Sequence, residues 1–217
     1  MPTDPRQIVA QGYDAAAEEY PRWIAAHVVD TARARYQESF SALLAQGSSV
    51  LELGCGGGGP TTEYFAQRFV LTGIDVSERQ VALARERVPM ATFVQADMTR
   101  FASASSSFDG VAAFYSLIHL PYGELPAMLA RISTWLREGG VLVASFGARG
   151  HSGGEHVEAD WLGGAPMYWS GYPLEDYIRF LEEAGLSVIE ANVETNIEDG
   201  QAAPFFWVLA KKSPASD

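Results

Sequence analysis

Short apolar runs rich in β-branched residues alternate with longer amphipathic stretches along most of this chain, the pattern of a parallel sheet with helices on both faces. The spacing predicts strands over 49–53, 70–74, 92–95, 110–115 and 141–146. Between them, Ser77-Glu78-Arg79-Gln80 has the form of a capping box that opens a helix, and a helix over about 123–136 stops at Gly139-Gly140. Ahead of the first strand, Asp4-Pro5 reads as an N-cap followed by a proline at the first helical position. Two more helices are expected over 14–26 and 30–45.

The rhythm breaks over 147–172, which is rich in Gly, His and aromatic residues and has no clear period. Loops of this length in compact domains are functional or disordered, and Trp161, Tyr168 and Trp169 argue against disorder. Pro173 then opens a helix with Leu174, Ile178 and Leu181 on one face and Gly185 as its stop. Strands follow over 186–194 and 205–210. The loop between them is too short for a helical crossover, so this pair is expected to be antiparallel.

The first predicted strand runs straight into Gly54-Cys55-Gly56-Gly57-Gly58-Gly59, and Pro60 follows at the first position of a helix. Such a turn leaves backbone N–H groups and bare Cα atoms facing a ligand. Asp75 ends the next strand, about where a ribose-binding carboxylate is expected, roughly 20 residues on. A nucleoside-containing cofactor over the first strand is the first reading. The glycines alone leave it open, because Gly54, Gly56 and Gly59 fit a dinucleotide G-x-G-x-x-G as literally as a G-x-G-x-G. Glu52 would be awkward beside a pyrophosphate but suits a cationic amino group. Asp97, after the third strand, suits an exocyclic adenine amine. The antiparallel end of the sheet is not part of a dinucleotide fold. A nicotinamide oxidoreductase and a non-catalytic binder of the same cofactor remain as rival readings.

With these residues in view, the chain resembles the class I S-adenosylmethionine-dependent methyltransferases. The likeness rests on Leu51-Glu52-Leu53-Gly54-Cys55-Gly56-Gly57-Gly58, Thr72-Gly73-Ile74-Asp75-Val76-Ser77 and Phe93-Val94-Gln95-Ala96-Asp97-Met98, with support from Phe108-Asp109-Gly110-Val111 and the stretch 136–142. It implies an α/β fold: a doubly wound, mostly parallel seven-stranded sheet with an antiparallel last strand. It further implies that Gly54, Cys55, Gly56 and Gly58 face the methionine part of S-adenosyl-L-methionine, with Asp75 and Val76 at the ribose. Asp97 and Met98 would meet the adenine, and Tyr115 would line the pocket. In similar methyltransferases a segment like the one holding Tyr13 and Tyr20 closes as a lid. The expected organisation is one domain over 1–217: a helical lid (1–47), a cofactor core (48–146), an insertion near the acceptor (147–172) and a C-terminal helix with a hairpin (173–212).

On the acceptor side, His119 follows the fourth strand near where a methyl would emerge and could act as a general base. Tyr168 and Trp169 could wall a pocket for the acceptor. His151, Glu155, His156, Glu158 and Asp160 form a tempting ligand group, but no helix fixes their spacing, so no metal site is expected.

Charge narrows the partners. The balance of 15 basic against 27 acidic residues, formally −12, would repel a phosphate backbone, so nucleic acid is not expected and a small-molecule acceptor is. Tyr115-Ser116-Leu117-Ile118 also stands where similar nucleic-acid amino-methyltransferases carry an Asn/Asp-Pro-Pro-aromatic signature. The single cysteine, Cys55, excludes an internal disulfide. Without a membrane-length apolar run, a cytoplasmic protein, monomeric or homodimeric, is the expectation.

Overall fold

The computed structural model describes residues 4–148 and 153–214. Asp4 accepts the Arg6 amide at 3.0 Å and Pro5 opens α1 (Pro5–Ala15), as the capping pattern requires. The helix expected over 14–26 is instead the end of α1 followed by α2 (Glu19–His27). The chain turns at Ala16 and Ala17, which are buried, and Asp14 stays on α1. A short strand β1 (Val28–Val29) leads to α3 (Ala32–Ala42), whose first amides, of Ala32 and Arg33, both donate to Asp30 Oδ1.

The core then alternates as the periodicity predicts: β2 (Ser49–Leu53), α4 (Pro60–Ala66), β3 (Val70–Asp75), α5 (Glu78–Arg87), β4 (Thr92–Gln95), β5 (Phe108–Ala113), α6 (Leu125–Trp135) and β6 (Leu136–Gly147). The capping box forms by half. Ser77 Oγ accepts the Gln80 amide at 3.0 Å, but the Ser77 amide donates to Asp75 rather than to Gln80. After β7 (Gly154–Glu158), β8 (Met167–Gly171) and α7 (Leu174–Glu183) come β9 (Leu186–Glu198) and β10 (Gln201–Lys212).

The main sheet has the order β1-β9-β10-β6-β5-β2-β3-β4. From β6 to β4 every pairing is parallel, while β10 is antiparallel to both β6 and β9. The expected seven strands become eight because Val28 and Val29 pair with Glu198 and Ile197 at the edge. The two-residue strand has no alternation for a sequence pattern to show.

Alternation within β2 places the core and the site. Leu51 and Leu53 face the layer that holds Met128, Ile132, Leu181 and Phe206. Val50 faces the other layer, with Tyr36, Phe40, Phe65 and Trp207. Glu52 shares Val50's side of the strand and so meets Thr62 on α4. Within the insertion, residues 153–172 hold regular structure that no sequence period announces. β7 and β8 form an antiparallel hairpin, with Val157 opposite Tyr168, and α1 packs Ile8 and Val9 against Met167 and Tyr168. Gly12 permits this approach, since a Cβ there would lie 2.7 Å from the Met167 methyl and 2.8 Å from the Pro166 carbonyl. His151 lies outside the described residues. Among those described, no group of three potential ligands could hold a metal ion, and no helix is long and apolar enough to cross a membrane.

Candidate functional site

The strands β2, β3 and β5 end together at one crest, and the turn after β2 is built for close approach. Gly54 has φ of 72° and Gly56 of 53°. Gly58, also left-handed, packs on α5 rather than toward the crest: a Cβ there would lie 2.9 Å from the Ala84 Cα. Above the turn is a cavity of about 400 Å³. Of the residues singled out in the sequence, Tyr13, Tyr20, Glu52, Gly54, Cys55, Gly56, Asp75, Val76, Asp97, Met98, Tyr115 and His119 line it; Gly58 does not.

Two carboxylates stand at its floor. Glu52 is buried, and burial lifts its carboxyl to about 8. Thr62 Oγ1 donates to Oε1 at 3.1 Å, while Oε2 has no partner among the described residues. Burial likewise raises Asp75, to about 6, against the backbone amides of Gly56 and Ser77, which donate to its two oxygens at 2.9 Å each. Each carboxylate oxygen retains a second lone pair. The wall also brings Arg33 into the cavity. Its Nε donates to Asp30 Oδ2 at 2.9 Å, and its guanidinium lies 4.7 Å from the centre of the Tyr115 ring.

At the far end, Asp97 is already engaged. Its Oδ1 accepts the Thr99 amide and hydroxyl at 2.8 Å each, and its Oδ2 lies 3.1 Å from Arg6 Nε. Arg6 also pairs with Glu124. Together with Asp14, which accepts from Ser77 Oγ and the Arg79 amide, this contact fastens α1 across the crest.

His119 sits in the 3-10 turn after β5, buried between α1 and the hairpin. Its Nδ1 lies 2.8 Å from the Tyr168 carbonyl, which can only accept, so Nδ1 carries the hydrogen. Nε2 is then the acceptor for the Tyr13 hydroxyl at 2.9 Å. Burial lowers His119 to about 4, so the ring is neutral at physiological pH. Both nitrogens are therefore occupied, and the ring offers no free lone pair to a bound molecule. Tyr168, expected to wall the acceptor pocket, points elsewhere: its hydroxyl accepts the Tyr122 amide and pairs with Glu155. Its contribution to the site is the carbonyl that sets His119.

Tyr115 adopts φ of 55°, a left-handed conformation uncommon outside glycine. Three bonds hold it there: its amide to Ser145 Oγ at 2.7 Å, its hydroxyl to Asp30 at 2.6 Å, and Asn196 Nδ2 to that hydroxyl at 3.1 Å. Tyr115 lines both the first cavity and a second one of about 380 Å³, as do Tyr13, Tyr20 and Arg33. Trp169 lines the second cavity with Trp23, Trp161 and Phe205, and its ring centre is 4.6 Å from that of His119.

Sequence reading missed Arg6, Arg33, Asp30 and Asn196 as parts of the site. No local motif marks them; each reaches the crest only because α1, α3 and β9 fold over it.

A crest of parallel strands with a glycine turn and buried acids beneath α1 and α2 is the arrangement of a Rossmann-like methyltransferase fold. Residues 50–140 match a family model described as a methyltransferase domain. Over that stretch the chain is similar to the class I S-adenosylmethionine-dependent methyltransferases. It is 39% identical over 104 residues to trans-aconitate 2-methyltransferase of Delftia acidovorans, a match covering 46% of this chain and 38% of that protein. It is 34% identical over 137 residues to dTDP-3-amino-3,4,6-trideoxy-alpha-D-glucopyranose N,N-dimethyltransferase of Streptomyces venezuelae, covering 62% and 52%. The alignments thus span about half or less of these relatives' own length. Among solved structures, 1,6-didemethyltoxoflavin N1-methyltransferase of Burkholderia thailandensis shares the fold, with a TM-score of 0.73, 18% identity, and 99% of this chain and 92% of that one covered.

Proposed function

We propose that this chain is a methyltransferase that binds S-adenosylmethionine in the first cavity and methylates a small molecule bound beside it. The observation that carries this reading is Glu52: a buried carboxylate at the tip of β2, with one oxygen unpartnered among the described residues, beside the Arg33 guanidinium. A zwitterionic amino-acid group complements that pair, the ammonium toward Glu52 and the carboxylate toward Arg33. A pyrophosphate in the same place would bring no cation to Glu52 and would leave its carboxyl protonated, so a nicotinamide dinucleotide forgoes that ion pair. Asp75 would accept the ribose hydroxyls with its remaining lone pairs, and Met98 would lie along the base. When bound, the cofactor supplies a methyl activated by a sulfonium.

The chain's own residues then supply position. α1 and α2 form the lid, latched by Arg6 and Asp14. His119 is a positioning residue: its Nε2 fixes the hydroxyl of Tyr13, a residue that borders both cavities. Alignment of the reacting groups is the main requirement of an in-line displacement. The residues around the two cavities would align the acceptor's lone pair with the methyl that the bound cofactor would supply, and the acceptor's proton would leave to solvent.

Titration of the purified chain with S-adenosylhomocysteine and with NADH by calorimetry tests the reading, and tight binding of NADH alone would overturn it. Glu52 adds a specific expectation. At pH 7 a carboxyl near 8 is protonated, and the arriving ammonium forces it to ionise, so binding should release about one proton. Calorimetry in buffers of different ionisation enthalpy measures that release, and Glu52→Gln should abolish it. Without ligand the sign is opposite to that of a salt-bridged acid. The folded value lies above the ordinary 4.5, so the stability contribution is complete below 4.5 and is lost as pH rises to about 8. Glu52→Gln should flatten the melting temperature across that window.

His119 gives a second expectation. Its folded value near 4 lies below 6.5, so nitrogen-15 NMR should show a neutral ring, hydrogen on Nδ1, at all pH values above about 5. His119→Ala should lower turnover about tenfold by freeing Tyr13, while S-adenosylhomocysteine affinity stays within about twofold. A protonated ring at pH 6, or unchanged turnover, would remove the positioning role.

A further inference from the structure

The second cavity holds polar groups that cofactor binding does not use. Asn196 on β9 is 2% exposed and borders it. Its Nδ2 donates to Tyr115, but Oδ1 has no partner among the described residues. A buried carbonyl left so is costly, and a ligand N–H recovers that cost. Beside it stands Glu198, half-buried, with no ion pair among the described residues, its carboxyl pushed up first by burial. Glu158 brings a second carboxylate to the same lining. The positive charge on this lining, Arg33, is paired with Asp30 and faces the cofactor's carboxylate in the proposed complex. The remaining walls are aromatic: Trp23, Trp161, Trp169 and Phe205. Indole rings beside carboxylates that lack a cation partner, Glu198 holding only a hydrogen bond from Asn196, attract cations and flat rings and repel anions.

We propose that the second cavity is the acceptor site and that it selects a ring-bearing amine. The amine's N–H groups meet Asn196 Oδ1 and Glu198, its ring lies between the tryptophans, and polycarboxylates such as trans-aconitate are excluded. This rests on the methyltransferase reading, because the Arg33 charge is neutralised by the cofactor's carboxylate only when the cofactor fills the first cavity.

The test uses matched probes of like shape and opposite charge: phenethylamine against 3-phenylpropionate, and tryptamine against indole-3-propionate. Each is titrated by calorimetry into the full chain saturated with S-adenosylhomocysteine. The amine should bind about tenfold or more tighter in both pairs. Glu198→Gln should cut that preference at least about threefold without altering S-adenosylhomocysteine affinity. Asn196→Leu should weaken the amines, with its melting temperature checked alongside. Equal or tighter binding of the acids, no binding by either amine, or an unchanged preference in Glu198→Gln overturns the proposal. If S-adenosylhomocysteine binds normally in those cases, only the acceptor class fails. If S-adenosylhomocysteine does not bind at all, the methyltransferase reading fails with it.

Discussion

Asp75→Ala should weaken S-adenosylhomocysteine binding by at least about a hundredfold, because two charge-assisted bonds of about 1.5–3 kcal/mol each disappear with the carboxylate. The ribose contact is only part of the loss. Asp75 also gathers the Gly56 and Ser77 amides, so it joins the glycine turn to the start of α5. Without it those two donors face the cavity, and the turn loses the bond that holds Gly56 toward the ligand. Asp75→Asn separates the two effects. The shape is kept, but the amide must direct its NH₂ at one of two backbone donors, so it should fall between the parent and Asp75→Ala. Calorimetric affinity and the ligand-free melting temperature are the two readouts. A folded Asp75→Ala chain with parental affinity would remove Asp75 from the sugar site.

Gly54→Ala should destabilise the chain by about 3 kcal/mol or more, through left-handed backbone and overpacking together. Gly54 has φ of 72°, and a Cβ there would lie 2.4 Å from the Ser116 Cβ. Carbon atoms prefer about 3.5–4.0 Å, so Ser116 must move. Ser116 precedes the turn that carries His119, and the shift would reach the Tyr13 contact as well. For a chain of this size the melting temperature should drop by about 6–12 °C. Gly59→Ala is the matched control. Its φ is −73° and nothing lies within 4 Å of the added Cβ, so it should melt within a few degrees of the parent. Equal melting of Gly54→Ala and the parent would show that the turn tolerates a side chain at its first glycine.

The lining of the first cavity was legible in the sequence because its contacts are local. Gly54, Gly56 and Asp75 sit at strand ends whose apolar runs announce them, and Glu52 lies two residues from the first glycine. Gly58 shows the limit of that reasoning. It belongs to the same motif, yet its space is filled by Ala84 of α5. The second cavity was read less well. Tyr168 and Trp169 are neighbours in the chain, but strand alternation sends them to opposite faces of the hairpin. Trp169 reaches the second cavity, while Tyr168 turns to Tyr122 and Glu155. Composition revealed that 147–172 holds aromatics but not the hairpin register that sorts them.

By itself the sequence determined the alternating core, the order of strands and turns, the caps at Asp4 and Ser77, and the glycine turn between two acids. Each of these follows from residues a few positions apart, where periodicity and backbone preference act directly. Only the tertiary structure decided which nitrogen of His119 holds its hydrogen, that Arg6 locks α1 onto Asp97, and that Arg33, Tyr115 and Asn196 meet between two cavities. Those contacts join residues far apart in the chain, and their energies come from burial and pairing that exist only once the helices and the long β9–β10 hairpin have packed over the crest.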